Sequence, residues 1–297
     1  MQTWIDTLIV FAAELRRALR SPRVLLVLFL YLAFAGVAML GAGWLARQSQ
    51  AQLIAQGQSM EALSSPKAGF LAMFFRPDRA LIESLVDIPA AVLVVFVLGR
   101  FFLSVYVALL GFDTVSAELQ TRSLRYLGVR TSRTALALGK GLALATLVLI
   151  LVTLVHLGAF GDALVSVPEF SLADAARAWP RLWGTTVLLG LAMAALTTLC
   201  STLTRSPALA LTLNLAVLFA LWVAGIVSDG ARMMRLVPGR ESEASWQEHL
   251  GLLVPSTWST EALYPDAARS LPAALVLLGF ALLFTAGAVA TLRTRDL

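Results

Sequence analysis

Apolar residues run along this chain in six long blocks separated by polar stretches. The first is VLLVLFLYLAFAGVAMLGAGWL at 24–45, and the others fall at about 88–112, 141–160, 184–203, 207–227 and 272–292. Each is close to the ~20 residues that cross a bilayer core at ~1.5 Å per residue. No block alternates polar and apolar positions over ~10 residues, as the strands of a membrane barrel do. Only helices and closed barrels satisfy every backbone group in lipid. The pattern predicts an all-α integral membrane protein with six transmembrane helices, forming one membrane domain over 1–297. The first block is longer than the ~7–15-residue core of a secretory signal and follows a long basic region, so it reads as an uncleaved anchor.

Composition sharpens this reading. The chain is 59% hydrophobic and 14% charged, against about 25% charged in an average soluble domain. The single cysteine, Cys200, lies inside an apolar block; it excludes an intrachain disulfide and reads as a small hydrophobe. The net charge of +5 does not point to nucleic acid, because the cations sit beside the blocks and not on one face of a soluble domain.

Their distribution orients the chain. One set of block ends carries Arg16, Arg17, Arg20, Arg23, Arg122, Arg125, Arg130, Arg133, Lys140, Arg205, Arg293 and Arg295, twelve cations against five acids. The other set carries ten cations against thirteen acids. The positive-inside rule places the first set, and both termini, in the cytoplasm.

The inner loop between the second and third blocks reads FDTVSAELQTRSLRYLGVRTSRTALALGKGLAL. Asp113 or Thr114 can cap a short helix over 113–128, with Glu118 early in it. Leu119, Leu124 and Leu127 share a helical face flanked by Arg122 and Arg125, and Gly128 ends it. Ser132 or Thr134 then restarts a helix that enters the membrane. Such an amphipathic helix suits an interface rich in anionic lipid, and equally a docking site for a cytoplasmic partner.

The order Asp113, Glu118, Thr121-Arg122-Ser123-Leu124, Val129-Arg130-Thr131-Ser132-Arg133 and Gly139-Lys140 resembles the permeases of the ABC type-2 exporter superfamily. The opening Glu14-Leu15-Arg16-Arg17-Ala18-Leu19-Arg20-Ser21-Pro22-Arg23 is similar to that family's amphipathic elbow helix. Thr121 stands where the family usually has glycine, and Arg130 or Thr131 where it has proline. The resemblance implies a permease domain with an N-terminal elbow helix (Glu14, Arg17), a cytoplasmic coupling helix between spans two and three, and short outer helices before span six. It assigns ATPase coupling to Asp113, Glu118, Arg122, Leu124 and Leu127. It implies the bacterial inner membrane, export, a partner ABC ATPase in two copies, and a second permease copy or a paralogue.

No G-x-x-x-x-G-K-[ST] phosphate loop occurs: Gly139-Lys140-Gly141 lacks the upstream glycine and the following Ser or Thr. No polar block is long enough to hold a nucleotide-binding domain. ATP and Mg are therefore expected in the partner ATPase, with no cofactor, metal or catalytic residue in this chain.

Three polar residues fall inside the blocks. Arg100 lies mid-span, where a cation costs roughly 2.5 to 3.5 kcal/mol on insertion scales and must face protein or water; it reads as a substrate-path or gating residue, as half of a structural ion pair, or as the sign of a shifted span boundary. His156 and Asn214 can hydrogen-bond between helices. The outer loop before the last block holds Trp246, Leu250, Leu253 and Trp258 as apolar anchors, with Pro255 breaking a short helix pair. The first outer loop, AQLIAQGQSMEAL followed by GFLAMFF, reads as a surface helix plus an interfacial segment that could meet a periplasmic partner.

Two other function classes compete. A channel or ion-coupled transporter should show several charges within its spans. A lipid-modifying membrane enzyme is hinted at by Asp229-Gly230-Ala231-Arg232, but the later glycine and aspartate of such a motif do not follow, and no G-x-S-x-G nucleophile motif occurs.

Overall fold

A computed structural model of the chain describes residues 2–55, 67, 70–71, 75, 79–123, 131–235 and 246–295. Eleven α-helices are seen among them. These are α1 (Gln2–Arg20), α2 (Pro22–Ala55), α3 (Arg79–Leu85), α4 (Ala90–Gly111), α5 (Ser116–Gln120), α6 (Arg133–Ser166), α7 (Leu172–Leu203), α8 (Pro207–Arg235), α9 (Trp246–His249), α10 (Pro255–Glu261) and α11 (Ala267–Thr294). A 3₁₀ turn, Leu250–Leu253, joins α9 to α10. The described residues contain no strand.

Six helices, α2, α4, α6, α7, α8 and α11, are long and apolar enough to cross a membrane. Their order matches the six apolar blocks, but most are longer. The third block, 141–160, lies within α6, and the fourth, 184–203, within α7. The helices extend because polar residues outside the apolar stretch cap them. Ser132 accepts from the Ala135 amide at 3.1 Å to open α6. Ser171 and Asp174 form a reciprocal capping box at the start of α7, satisfying two otherwise unpaired donors. The ladder also runs on past Pro180 in α7 and Pro272 in α11, each in the N-terminal part of its helix.

The bundle has a centre and a rim. In α7, 78% of the most apolar window is buried, against 11% in α2 and in α8. Helices α4, α6 and α7 form the centre, where Leu103, Val107, Leu144, Val148, Leu151, Leu189 and Met193 make one continuous core. Helix α11 packs mainly along α7, and α2 along α4. The rim helices turn Phe29, Leu40, Phe219, Trp222, Leu275 and Leu282 outward. Apolar faces of this size fit contact with lipid.

Two short elements position the candidate site. Helix α1 lies against α6 and stops at Ser21, after which Pro22 opens α2. Proline suits a first helical position and cannot extend the preceding ladder. Gly139 makes the close approach of α1 to α6 possible: a Cβ there would sit 2.7 Å from Val10 Cβ and 2.9 Å from the Thr7 carbonyl oxygen.

Helix α5 corrects the expectation of one helix over 113–128. It ends at Gln120, and Arg122 takes φ 58°. An ordinary residue pays about 1 kcal/mol more than glycine in this left-handed region. Leu124 and Leu127, like the rest of 124–130, lie outside the described residues.

Candidate functional site

The sequence-marked polar residues of the inner loop and the first helix meet at one end of the bundle. Lys140, near the start of α6, is only 1% exposed. Its Nζ donates to Glu14 Oε1 of α1 at 2.5 Å and to Glu118 Oε1 of α5 at 2.8 Å. Arg17 adds looser ion pairs, 3.7 Å to Glu118 and 3.9 Å to Glu14. Two cations thus balance two carboxylates, and three elements far apart in sequence share one lysine. A buried ammonium left without carboxylates is costly, so breaking this junction from one side should cost about 3 to 5 kcal/mol. Glu118, 8% exposed, points inward to the lysine and not toward solvent.

Further bonds hold α5. The amides of Val115 and Ser116 both donate to Ser201 Oγ of α7, at 3.0 and 3.1 Å. Ser201 therefore does the capping expected of Asp113 or Thr114. Asp113 is otherwise engaged: its carboxylate takes both Nη1 and Nη2 of Arg23 on α2, at 2.5 and 2.7 Å. A bidentate pair of this kind outcompetes a cap for the same oxygens. The Arg23 guanidinium also lies 4.8 Å over the Phe112 ring. The 111–120 segment is thereby tied to α2, α6 and α7, and through Lys140 to α1. A cavity of about 150 Å³ opens beside the junction, lined by Glu14, Arg17, Arg23, Asp113, Thr114 and Lys140 at its polar side and by Leu110, Leu144 and Leu147 at its apolar side.

The same end carries a second set of arginine contacts. Arg295 bonds the carbonyls of Thr202, Leu203 and Thr204 where α7 ends, supplying donors to helix carbonyls that have no partner of their own. Arg133 reaches the carbonyls of Arg293 and Arg295 at 3.0 and 2.7 Å.

At the opposite end, Arg100 contacts the short helix before the last span. Its Nη2 donates to the Ser256 carbonyl and to Thr260 Oγ1, both at 2.5 Å, and the guanidinium sits 5.8 Å over Phe75. Arg181, which the sequence did not single out, donates to the Leu263 carbonyl and to Ser84 Oγ. Pro255, read from the sequence as breaking a short helix pair, occupies the first position of α10. Trp258 Nε1 closes the α9–α10 segment by donating to the Leu252 carbonyl at 3.0 Å.

The other two in-span polar residues lie apart from both ends' contacts. Asn214 donates to Thr197 Oγ1 at 2.8 Å, joining α8 to α7. His156 Nδ1 is 2.8 Å from the Val152 carbonyl of its own helix, and its ring meets Phe96 edge-on at 6.5 Å. No group of three or more metal-ligating side chains occurs among the described residues.

Lys140 could have been found from sequence by one argument. A lysine beginning an apolar stretch needs a carboxylate, and Glu14 and Glu118 are among the few acids on its side. Ser201 and Arg181 gave no such signal.

The fold and these contacts define a multi-pass membrane protein of helical-bundle type whose two ends are each tied by arginine or lysine. A family model described as ABC-2 family transporter protein matches residues 8–297, and the chain belongs to that family. It is a membrane permease of the ABC transporter class. No curated protein matches the chain.

Proposed function

We propose that the chain is the membrane-spanning subunit of an ATP-driven exporter in the bacterial inner membrane, energised by a separate ABC ATPase. Helix α5 acts as the coupling helix and α1 as the elbow helix. Two permease subunits, identical or paralogous, assemble with two ATPase copies, and both termini face the cytoplasm. ATP and Mg reside in the ATPase.

The observation that carries this reading is the fixation of the 111–120 segment. A helix of five residues has no stability of its own, yet this one is bonded to Ser201 of α7 and Lys140 of α6, while Asp113 just before it holds Arg23 of α2. A push on it by a closing partner would reach three spans without being lost in local bending. The cationic surplus at this end supports a cytoplasmic placement.

The test is co-expression of the full chain with an ABC ATPase encoded beside it, purification in lipid nanodiscs, and native mass spectrometry with an ATP-hydrolysis assay. The expected result is a complex of two permeases and two ATPases whose hydrolysis is inhibited by vanadate. Purification of the chain free of any ATPase, under conditions that keep it folded, would overturn the reading.

A further inference from the structure

The end of the bundle that carries α5 divides its charges by sign. Its described acids are Asp6, Glu14, Asp113 and Glu118, and none of them is exposed. Glu14, Asp113 and Glu118 are all engaged by Lys140, Arg17 or Arg23. Seven described arginines of the same end, Arg16, Arg17, Arg20, Arg23, Arg122, Arg205 and Arg293, are exposed, of which Arg17 and Arg23 are the ones already in ion pairs. A partner meeting this surface therefore meets mainly cations, since three of its four described acids are already held in ion pairs.

Arg122 stands out among them. It follows the last turn of α5 and is the one described non-glycine residue with positive φ, at 58°. That position just past a helix C-terminus is where glycine, or asparagine, fits without strain. Arginine has neither advantage. The backbone is held there by its neighbours: the Arg122 amide donates to the Leu119 carbonyl at 3.3 Å, and Thr121 Oγ1 bonds the Ala117 carbonyl at 3.1 Å and meets Ser123 Oγ at 3.0 Å. An exposed side chain kept in a strained, fixed backbone conformation is a feature that points to recognition.

The fixed geometry also favours a protein over lipid as the partner. A fluid layer of anionic head groups is served by any flexible arginine, and Arg16 and Arg20, exposed on the same helix as the exposed Trp4, Ile5 and Leu8, suit that role. A single strained arginine beside the junction helps only where the opposing carboxylate has a fixed position, as in a bidentate pair with a folded protein.

We propose that Arg122 is the residue with which the permease grips a carboxylate of its ATPase subunit, and that the surface around it receives an acidic face of that protein. This rests on the reading of α5 as the docking element. Lys140 acts behind it, by holding Glu118 and so the helix that presents Arg122.

The experiment measures binding of the purified ATPase to the full permease in nanodiscs, with and without anionic lipid, across a salt series. The variants are Arg122→Gly, Arg122→Lys and Arg122→Glu. Arg122→Gly relieves the backbone while removing the charge, so it separates the two roles of the position. The expected result is that Arg122→Gly unfolds at the same or a higher temperature than the unmodified permease, yet binds the ATPase about tenfold or more weakly. Arg122→Glu should bind weaker still, and Arg122→Lys should fall between. Affinity of the unmodified permease should drop with salt, less steeply for Arg122→Gly. Unchanged ATPase binding by Arg122→Gly, while the unmodified permease binds, would overturn this proposal and leave the docking reading standing. A loss that appears only in nanodiscs with anionic lipid would assign Arg122 to the membrane and overturn it too. Failure of the unmodified permease to bind would overturn the docking reading itself.

Discussion

The two ends of this bundle use their charges in different ways. At the α5 end acids are held in ion pairs and the arginines are displayed: Lys140, Arg17 and Arg23 engage Glu14, Glu118 and Asp113, and Arg17 and Arg23, like Arg16, Arg20 and Arg122, are exposed. At the α10 end two arginines are consumed and both signs are displayed: Arg100 and Arg181 bond α10, the loop after it and α3, while Glu83, Asp87, Glu169 and Asp266 are exposed together with Arg177 and Arg269. At the first end, ion pairs join secondary elements through side chains on both sides. At the second, Arg100 and Arg181 bond carbonyls and hydroxyls, as Arg133 and Arg295 also do at the first, while the described ion pairs there, Arg177–Asp174 and Arg269–Glu261, are loose at 3.7 and 3.9 Å and involve exposed arginines. An ion pair depends on both partners, whereas a cation on a carbonyl depends on the arginine alone. The α5 end is therefore the one whose rigidity is most sensitive to single charge changes.

The largest effect should come from Lys140→Met. It leaves Glu14 and Glu118 facing each other in a buried site, and the folded permease should lose about 3 to 5 kcal/mol, seen as a lower unfolding temperature in detergent. Adding Glu14→Gln and Glu118→Gln should recover much of the loss, since no buried charge is then left unpaired and Arg17, 70% exposed, is solvated. A triple variant as unstable as Lys140→Met would show that the lysine matters for its volume and not its charge.

Next is Arg100→Ala at the other end. Two charge-assisted hydrogen bonds at about 1.5 to 3 kcal/mol each hold α10, so amide exchange over 255–261 should accelerate by at least about tenfold while exchange in α5 stays unchanged. Acceleration at both ends would dissolve the distinction between them.

Gly139→Ala should cost about 1 to 3 kcal/mol through overpacking, because the new Cβ meets Val10 and the Thr7 backbone. The change should appear as loosening of α1, read by faster proteolysis near Arg16, Arg17 and Arg20. Unaltered cleavage would mean that α1 is held by Glu14 alone.

Arg23→Ala should be the mildest. The Arg23 and Asp113 side chains are 41% and 30% exposed, and solvent-accessible pairs contribute at most about 1 kcal/mol. The loss should shrink further as salt is raised. A loss as large as that of Lys140→Met would show that Asp113, and not Lys140, anchors the segment.

Much of this architecture could be read from the chain, and the remainder shows where periodicity stops helping. The six spans were legible because apolar block length is set by bilayer thickness. Ser132, one of the two helix starts read before the third span, does open α6, but the start of α7 was not legible, since Ser171 and Asp174 extend that helix into polar surroundings that hydropathy treats as loop. Asp113, Glu118 and Glu14 were marked by the resemblance, but their partners were hidden, because Glu14 and Lys140 are separated by 126 positions. Lys140 was counted among the cations at the block ends and quoted in the Gly139-Lys140 motif, but its burial was not read. The length of α5 was overestimated because a leucine pattern says nothing of the backbone at Arg122. The Ser201 cap was illegible for a different reason: a serine inside an apolar span usually bonds its own helix, and only the fold brings the Val115 and Ser116 amides to it.

The central claim is that the α5 end, and not the α10 end, receives the ATPase. Photo-crosslinkers placed at exposed Gln120 and at exposed Ser256, one at a time, in the co-expressed complex test it most directly. A permease–ATPase adduct is expected from position 120 and none from position 256. An adduct from position 256, or none from position 120 in a complex that hydrolyses ATP, would contradict it.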